Sequence, residues 1–210
     1  MAEMSMNRVI HSAVRRDLRR FEEALGALAP GDRERAAALG RAWDNFHFQL
    51  DHHHHGEHDI VWPALTSYGV DPGLLTQFDG EHELMAAALG ETHEAMTLLR
   101  ADPTAAHRDR ALAGVRHLYS VTDSHLEHEE RELEPVLHGG FLESPEAKVM
   151  EKQLRAGGLG RAATMLSWVS DDAGPEETRA LRGMIPAPVR FLLVGVLGRR
   201  YRREVASAWR

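Results

Sequence analysis

The chain has 210 residues, a formal net charge of −7 and no cysteine. Its length suffices for one sizeable core with an appended piece, and its acidic balance excludes nucleic acid as the main partner, because phosphate binding needs a basic surface. Without thiols there are no disulfides or thiolate metal sites, so any metal must be held by His, Asp, Glu or Tyr.

The opening stretch MAEMSMNRVIHSAVRRDL holds no apolar core of signal-peptide length. The longest apolar run, VRFLLVGVLG at 189–198, is far short of the ~20 residues that span a bilayer. A soluble, cytoplasmic chain is expected.

Everything before residue 140 reads as amphipathic helix. In the first helix His11, Val14, Leu18, Phe21, Leu25 and Leu28 recur at spacings of three and four, until Pro30-Gly31-Asp32 breaks the pattern and offers Asp32 as a cap. The second carries Leu39, Trp43, Phe46, Leu50, His53, Glu57, Val61 and Ala64 on one stripe. Asp71-Pro72 opens a third, with Leu75, Phe78, His82, Met85, Leu89, His93 and Met96 in register. Asp102-Pro103 opens a fourth, with Ala111, Val115, Leu118, His125, Glu129, Leu133 and Val136. No strand pattern appears. Four long helices with short joints predict an all-α fold, an antiparallel up-down four-helix bundle over residues 1–140.

After residue 140 the character changes to shorter helices, starting at Ser144-Pro145, Leu159 and Pro175, with a final amphipathic segment rich in arginine (Arg190, Arg199, Arg200, Arg202, Arg203, Arg210). Residues 141–210 are read as a helical extension whose apolar face packs on the bundle or on a partner subunit. Contact of this segment with a membrane surface is not expected, and the oligomeric state stays open.

The stretch DHHHHGEHDIVWPAL, residues 51–65, concentrates five histidines and three acids without a Lys or Arg. It lies between helical patterns, which argues against a tag. More informative is where polar residues interrupt the apolar stripes: His11, His53, Glu57, His82, His125 and Glu129 occupy core-facing positions. Burying so many ionisable groups is costly unless they are paired or hold a metal. Counted along the up and down legs at about 1.5 Å per residue, the four histidines reach one level within a turn.

An internal repeat fixes the register. His53 falls on His125, Glu57 on Glu129, Pro63 on Pro135 and Leu65 on Leu137, all at an offset of 72, while His11 and His82 precede their motifs by 42 and 43 residues. Each half therefore supplies one His followed by His-x-x-x-Glu, a spacing that sets His and Glu one turn apart on one helix face. The alternative pair His54 and His58 has no counterpart in the second half, where Leu126 and Glu130 stand. His52 and His55 point away from His53 around the helix and are read as lying outside the site. His54 stays open between a fifth nitrogen ligand and an exposed neighbour. His47 and Tyr119, six residues before His53 and His125, match across the repeat and are candidates to hold the imidazoles in place.

These residues resemble the hemerythrin-like, HHE cation-binding family. The likeness covers about residues 8–138 and rests on His11, HHHGEHDIVWPAL, His82 and HLEHEERELEPVL. It implies a bundle with two iron ions, His11 and His53 serving one, His82 and His125 the other, with Glu57 and Glu129 bridging. Hemerythrins proper have a further histidine one turn after the one matching His82, where this chain has Ala86. Nitrogen and carboxylate donors suit iron, with manganese or zinc as alternatives. Two six-coordinate ions need about twelve bonds. Four histidines, two bridging carboxylates and an oxo or hydroxo bridge leave about two positions open, or one if His54 ligates. The expectation is a non-haem di-iron protein that binds or reduces dioxygen, peroxide or related oxidants such as nitric oxide, with weak peroxide-decomposing or oxidase-like turnover left open. A protein that senses or buffers iron or oxygen without turnover is the alternative reading, and a module with a purely structural metal a third.

Overall fold

The computed structural model describes residues 4–209, apart from the side chain of Arg155, and within them the chain is all-helical. Helix α1 (Met6–Gly26) starts at Ser5, whose Oγ accepts the Arg8 amide. Helix α2 (Arg33–Gly56) starts at Asp32, whose carboxylate accepts the Arg35 amide. These caps satisfy amides that a helix start leaves unpaired. Helix α4 (Pro72–Ala101) begins at Asp71 as the sequence suggests, but α5 (Ala105–His138) is capped by Thr104 rather than by Asp102.

The stripe of the second helix does not run as one α-helix. After Gly56 the chain takes a π turn (Glu57–Val61) and only then resumes as α3 (Trp62–Tyr68), with the Trp62 amide bonded five residues back to the Glu57 carbonyl. Pro63 contributes to the local change, since its ring has no N–H to give and crowds the carbonyl four residues before it, and Gly56, where the second half has His128, leaves the backbone freer to yield. The matching Pro135 is absorbed inside α5, so the two halves are alike in sequence but not in backbone.

Side-chain pairs set the helices against one another. From one end of α1 to the other, Asn7 meets Glu129, Arg15 meets Asp123 and Glu22 meets Arg116, so residue numbers fall on α5 as they rise on α1. The same opposition holds between α2 and α4, where His82 meets Glu57, Trp43 meets His93 and Asp44 meets Arg100. Helix α4 also lies against α5 so closely that a Cβ on Gly114 would stand 3.0 Å from Thr92 Oγ1. The exposed ion pairs mark this register more than they stabilise it. Stability comes from the buried stripe: Val14, Leu18, Phe21, Leu39, Phe46, Leu50 and Leu118 are essentially sealed, each worth about 1.5–3 kcal/mol over exposure.

The extension does not form a core of its own. Buried residues of α7 (Leu159–Ser170), α8 (Pro175–Met184) and the stretch beyond, among them Trp168, Val169, Leu181, Leu193 and Tyr201, belong to the same apolar cluster as the bundle. Asp17 on α1 is the anchor: its buried carboxylate accepts Trp168 Nε1 at 2.8 Å and lies beside Arg16 and Arg20. Arg16 in turn donates to the carbonyls of Trp168 and Asp171. Phe21 packs edge-on against Trp209. Helix α6 (Pro145–Arg155) instead closes a smaller cluster with Trp62, Leu65, Phe78 and Phe141. The last amphipathic segment is three pieces: α9 (Ala187–Arg190), a π stretch (Phe191–Leu197) and α10 (Arg199–Glu204). Arg210 lies outside the described residues. Among those residues no single helix is long and apolar enough to cross a membrane.

Candidate metal centre

Five elements deliver seven acidic and imidazole side chains to one level of the bundle. His11 comes from α1, His53 and His54 from the end of α2, Glu57 from the start of the π turn, His82 from α4, and His125 and Glu129 from α5. Their donor atoms form two groups, each within 4.8 Å: His11, His53, Glu57 and Glu129 in one, and His54, Glu57, His82 and His125 in the other. Glu57 belongs to both. Its Oε1 lies 3.2 Å from His53 Nε2 and its Oε2 lies 3.4 Å from His82 Nε2. Glu129 is placed differently. Its Oε2 faces His11 Nε2 at 3.3 Å and His125 Nε2 at 3.6 Å, while Oε1 accepts the Asn7 side-chain amide at 2.9 Å.

The centre contains polar atoms with no protein partner. His11 Nε2, His53 Nε2, His54 Nε2, both oxygens of Glu57 and Glu129 Oε2 are buried and make no hydrogen bond. Each such atom costs about 1–3 kcal/mol if left so. Six of them converging in one place is a donor set shaped for a cation, and nitrogen and carboxylate oxygen fit iron, manganese or zinc.

The outer ring nitrogens are held from behind. His11 Nδ1 donates to Glu130 Oε1 at 2.9 Å, and His125 Nδ1 donates to Glu81 Oε2 at 2.7 Å. With the proton fixed on Nδ1, the Nε2 lone pair points into the centre. Glu81 also accepts His128 Nδ1 at 2.7 Å, whereas Glu130 is shared with Arg15 Nη1 at 2.5 Å. Trp62 stacks on His82, and its indole N–H goes to Asp79.

Burial keeps His53, His54 and His82 neutral. It drives His53 down to about 3, helped by His11, and His82 down to about 4, helped by His125. Burial likewise pushes His54 well below its usual value, with His82 adding to it. Glu57 is held well above the ordinary carboxylate range by burial and by Glu129 beside it. For Glu129 and His11 burial is outweighed by their attraction, so that Glu129 is lowered and His11 raised.

All six residues singled out by the interrupted stripes and the repeat are brought together, and His54 joins them through its stacking on His82 at 4.3 Å between ring centres. His52, His55 and His58 stay outside: His52 packs on Phe48, His55 bonds its own turn at Asp51, and His58 reaches Asp79. His47 lies against His93, and Tyr119 packs on the apolar cluster. Two of the outer nitrogens are instead held by Glu130 and Glu81, which sequence reasoning passed over. Each is the immediate chain neighbour of a core-facing residue, Glu129 or His82, which is the one signal that could have drawn attention to it.

A helical fold with two buried His and carboxylate groups at its middle defines a metal-binding helical protein. The family model described as Hemerythrin HHE cation binding domain matches residues 7–178, and the chain belongs to that family. The match runs past the bundle helices into α8, in keeping with the shared core. No curated protein and no solved structure shows a significant match.

Proposed function

We propose that the chain is a non-haem di-iron protein whose antiparallel up-down four-helix bundle, made by α1, α2 with its π turn, α4 and α5, binds or reduces dioxygen, peroxide or a related small oxidant. The single observation that carries this reading is Glu57, whose two unpartnered oxygens face two different groups of histidines. A carboxylate so placed suits a bridge between two cations. Iron held there supplies redox chemistry and Lewis acidity toward small oxygen ligands.

The rest follows from the chain's own residues. Glu130 and Glu81 fix the tautomers of His11 and His125. Asn7 restrains Glu129 so that one of its oxygens is directed inward. Ala86, where hemerythrins proper carry a further histidine, is exposed. His54 makes up the nitrogen count from the neighbouring helix. The donor groups are thus unequal, three histidines on one side and His11 with His53 on the other. Each group offers four donors, with Glu57 alone common to both, so positions are left at the centre for the small oxidant.

The test is anaerobic reconstitution with ferrous iron followed by elemental analysis and visible absorption in air. About two irons per chain are expected, and His54→Ala is expected to weaken one of them while His55→Ala weakens neither. One ion per chain, or zinc with no affinity for iron, would overturn the dinuclear reading.

A further inference from the structure

The last helical stretch is two-faced, and the outward face is the apolar one. Leu193 and Tyr201 are buried in the main cluster and anchor it. Phe191 is 72 % exposed, Leu197 45 %, Leu192 44 % and Val196 38 %. An exposed aromatic ring among aliphatic side chains is not what a water-facing helix selects.

Charge sorts with it. Residues 187–209 carry five arginines against one acid, Glu204, in a chain whose net charge is −7. Arg190 and Arg202 are folded back onto main-chain carbonyls, of Ile185 and of Val194 and Gly195 respectively. Arg200 and Arg203 share Glu204 and remain about four-fifths exposed or more, and Arg199 beside them is exposed too. The apolar face therefore ends in a cluster of cations that one carboxylate does not neutralise. The same face of a second copy would set arginines against arginines, whereas an anionic bilayer suits both features: acyl chains for Phe191 and its neighbours, and headgroup phosphates for the arginines.

We propose that this face docks the protein on an anionic lipid surface, lying in the interface without spanning it. Sequence alone favoured a packed face with solvated arginines; the structure turns Leu193, Tyr201, Val205, Ala206 and Ala208 inward but leaves Phe191, Leu192, Val196 and Leu197 facing out. The segment is short, so binding is expected to be reversible and salt-sensitive.

The experiment uses the full chain and sedimentation with vesicles of phosphatidylcholine alone or mixed with phosphatidylglycerol. Association is expected with the anionic vesicles only, and should weaken as salt is raised. Phe191→Ser should lower partitioning roughly tenfold, and Arg199→Gln or Arg200→Gln roughly fivefold each. All three variants should keep the helical signal and thermal midpoint, because the side chains are exposed. Phe191→Trp should shift its emission to the blue when anionic vesicles are added. Equal binding to neutral vesicles, or none to either, would overturn the proposal. So would self-association that Phe191→Ser abolishes while vesicles bind nothing, which would assign the face to a second copy. A lowered thermal midpoint for Phe191→Ser would show the ring to be packed, and would overturn it as well.

Discussion

Replacing Glu81 by alanine tests the centre through a residue that touches no donor atom facing inward. Glu81 accepts Nδ1–H from His125 and from His128, both at 2.7 Å, and its side chain is 31 % exposed. Its carboxylate fixes the His125 tautomer and raises the basicity of Nε2. Removing a partner of this kind typically costs 10–100-fold in metal affinity, about 1.4–2.7 kcal/mol. Glu81→Gln keeps one acceptor oxygen without the charge and should fall at the low end, near tenfold. Glu130 supports His11 in the same way but also faces Arg15 at 2.5 Å and Arg8 at 3.8 Å. Its charge is already partly neutralised, so Glu130→Gln should cost less than Glu81→Gln. The assay is competition for ferrous iron against a chelator of known affinity, under anaerobic conditions at constant pH, with circular dichroism as the control for folding. Binding by Glu81→Ala within twofold of the wild type, with the helical signal intact, would refute the argument that the outer carboxylate tunes the ligand.

In the anaerobic iron titration, His54→Ala should lower the affinity for one ion of the pair at least tenfold while His52→Ala changes nothing, because only the former ring lies in a donor group. Trp168→Phe should cost about 1–3 kcal/mol by denaturant unfolding, as it removes an N–H from the buried Asp17 carboxylate; Trp168→Ala adds a cavity and should cost about 3–5 kcal/mol. The metal-stripped protein should lose stability as pH falls from 6.5 toward 4. Folded His53 and His82 refuse protons down to about 3 and about 4, while the unfolded chain takes them up near 6.5, and each contributes up to ~1.4 kcal/mol per pH unit. Glu57, raised by burial and by Glu129, and His11, raised by Glu129, work in the opposite direction but are outnumbered by His53, His82 and the likewise lowered His54 and His125. Denaturant midpoints at pH 7 and pH 5 read the sign, and a higher midpoint at pH 5 would contradict it.

Much of this was legible in the sequence because helices have one period. A polar residue on an apolar stripe is visible at once, which isolates His11, His82 and the two His-x-x-x-Glu pairs, and the offset of 72 removes the ambiguity among neighbouring histidines. What the period cannot supply is the environment on the flanks. Glu81 and Glu130 read as solvated acids because each is about 100° from the core-facing direction, and only the packed neighbours show which imidazole each one meets. The repeat also misleads where it carries no chemistry. Six residues are about 1.7 turns, which swings His47 away from the face of His53, and it meets His93 instead. His54 was undecidable from angle alone, since its place in the centre depends on where α4 sets His82. The break at residue 140 marks a change of helix length, whereas the core continues across it through Trp168 and Tyr201.

The two halves of the chain repeat each other, yet the donor groups they build hold two and three nitrogens. A pair of ions in such a setting would be chemically inequivalent from the outset. Unequal nitrogen donation gives unequal reduction potentials, so the first electron removed would leave from one ion in preference to the other. A half-oxidised, mixed-valence state would then be trapped rather than shared evenly. It should be visible as a single, well-resolved paramagnetic species on titration with one oxidising equivalent. A duplicated sequence has, through one histidine without a counterpart, given up the symmetry that duplication would have imposed.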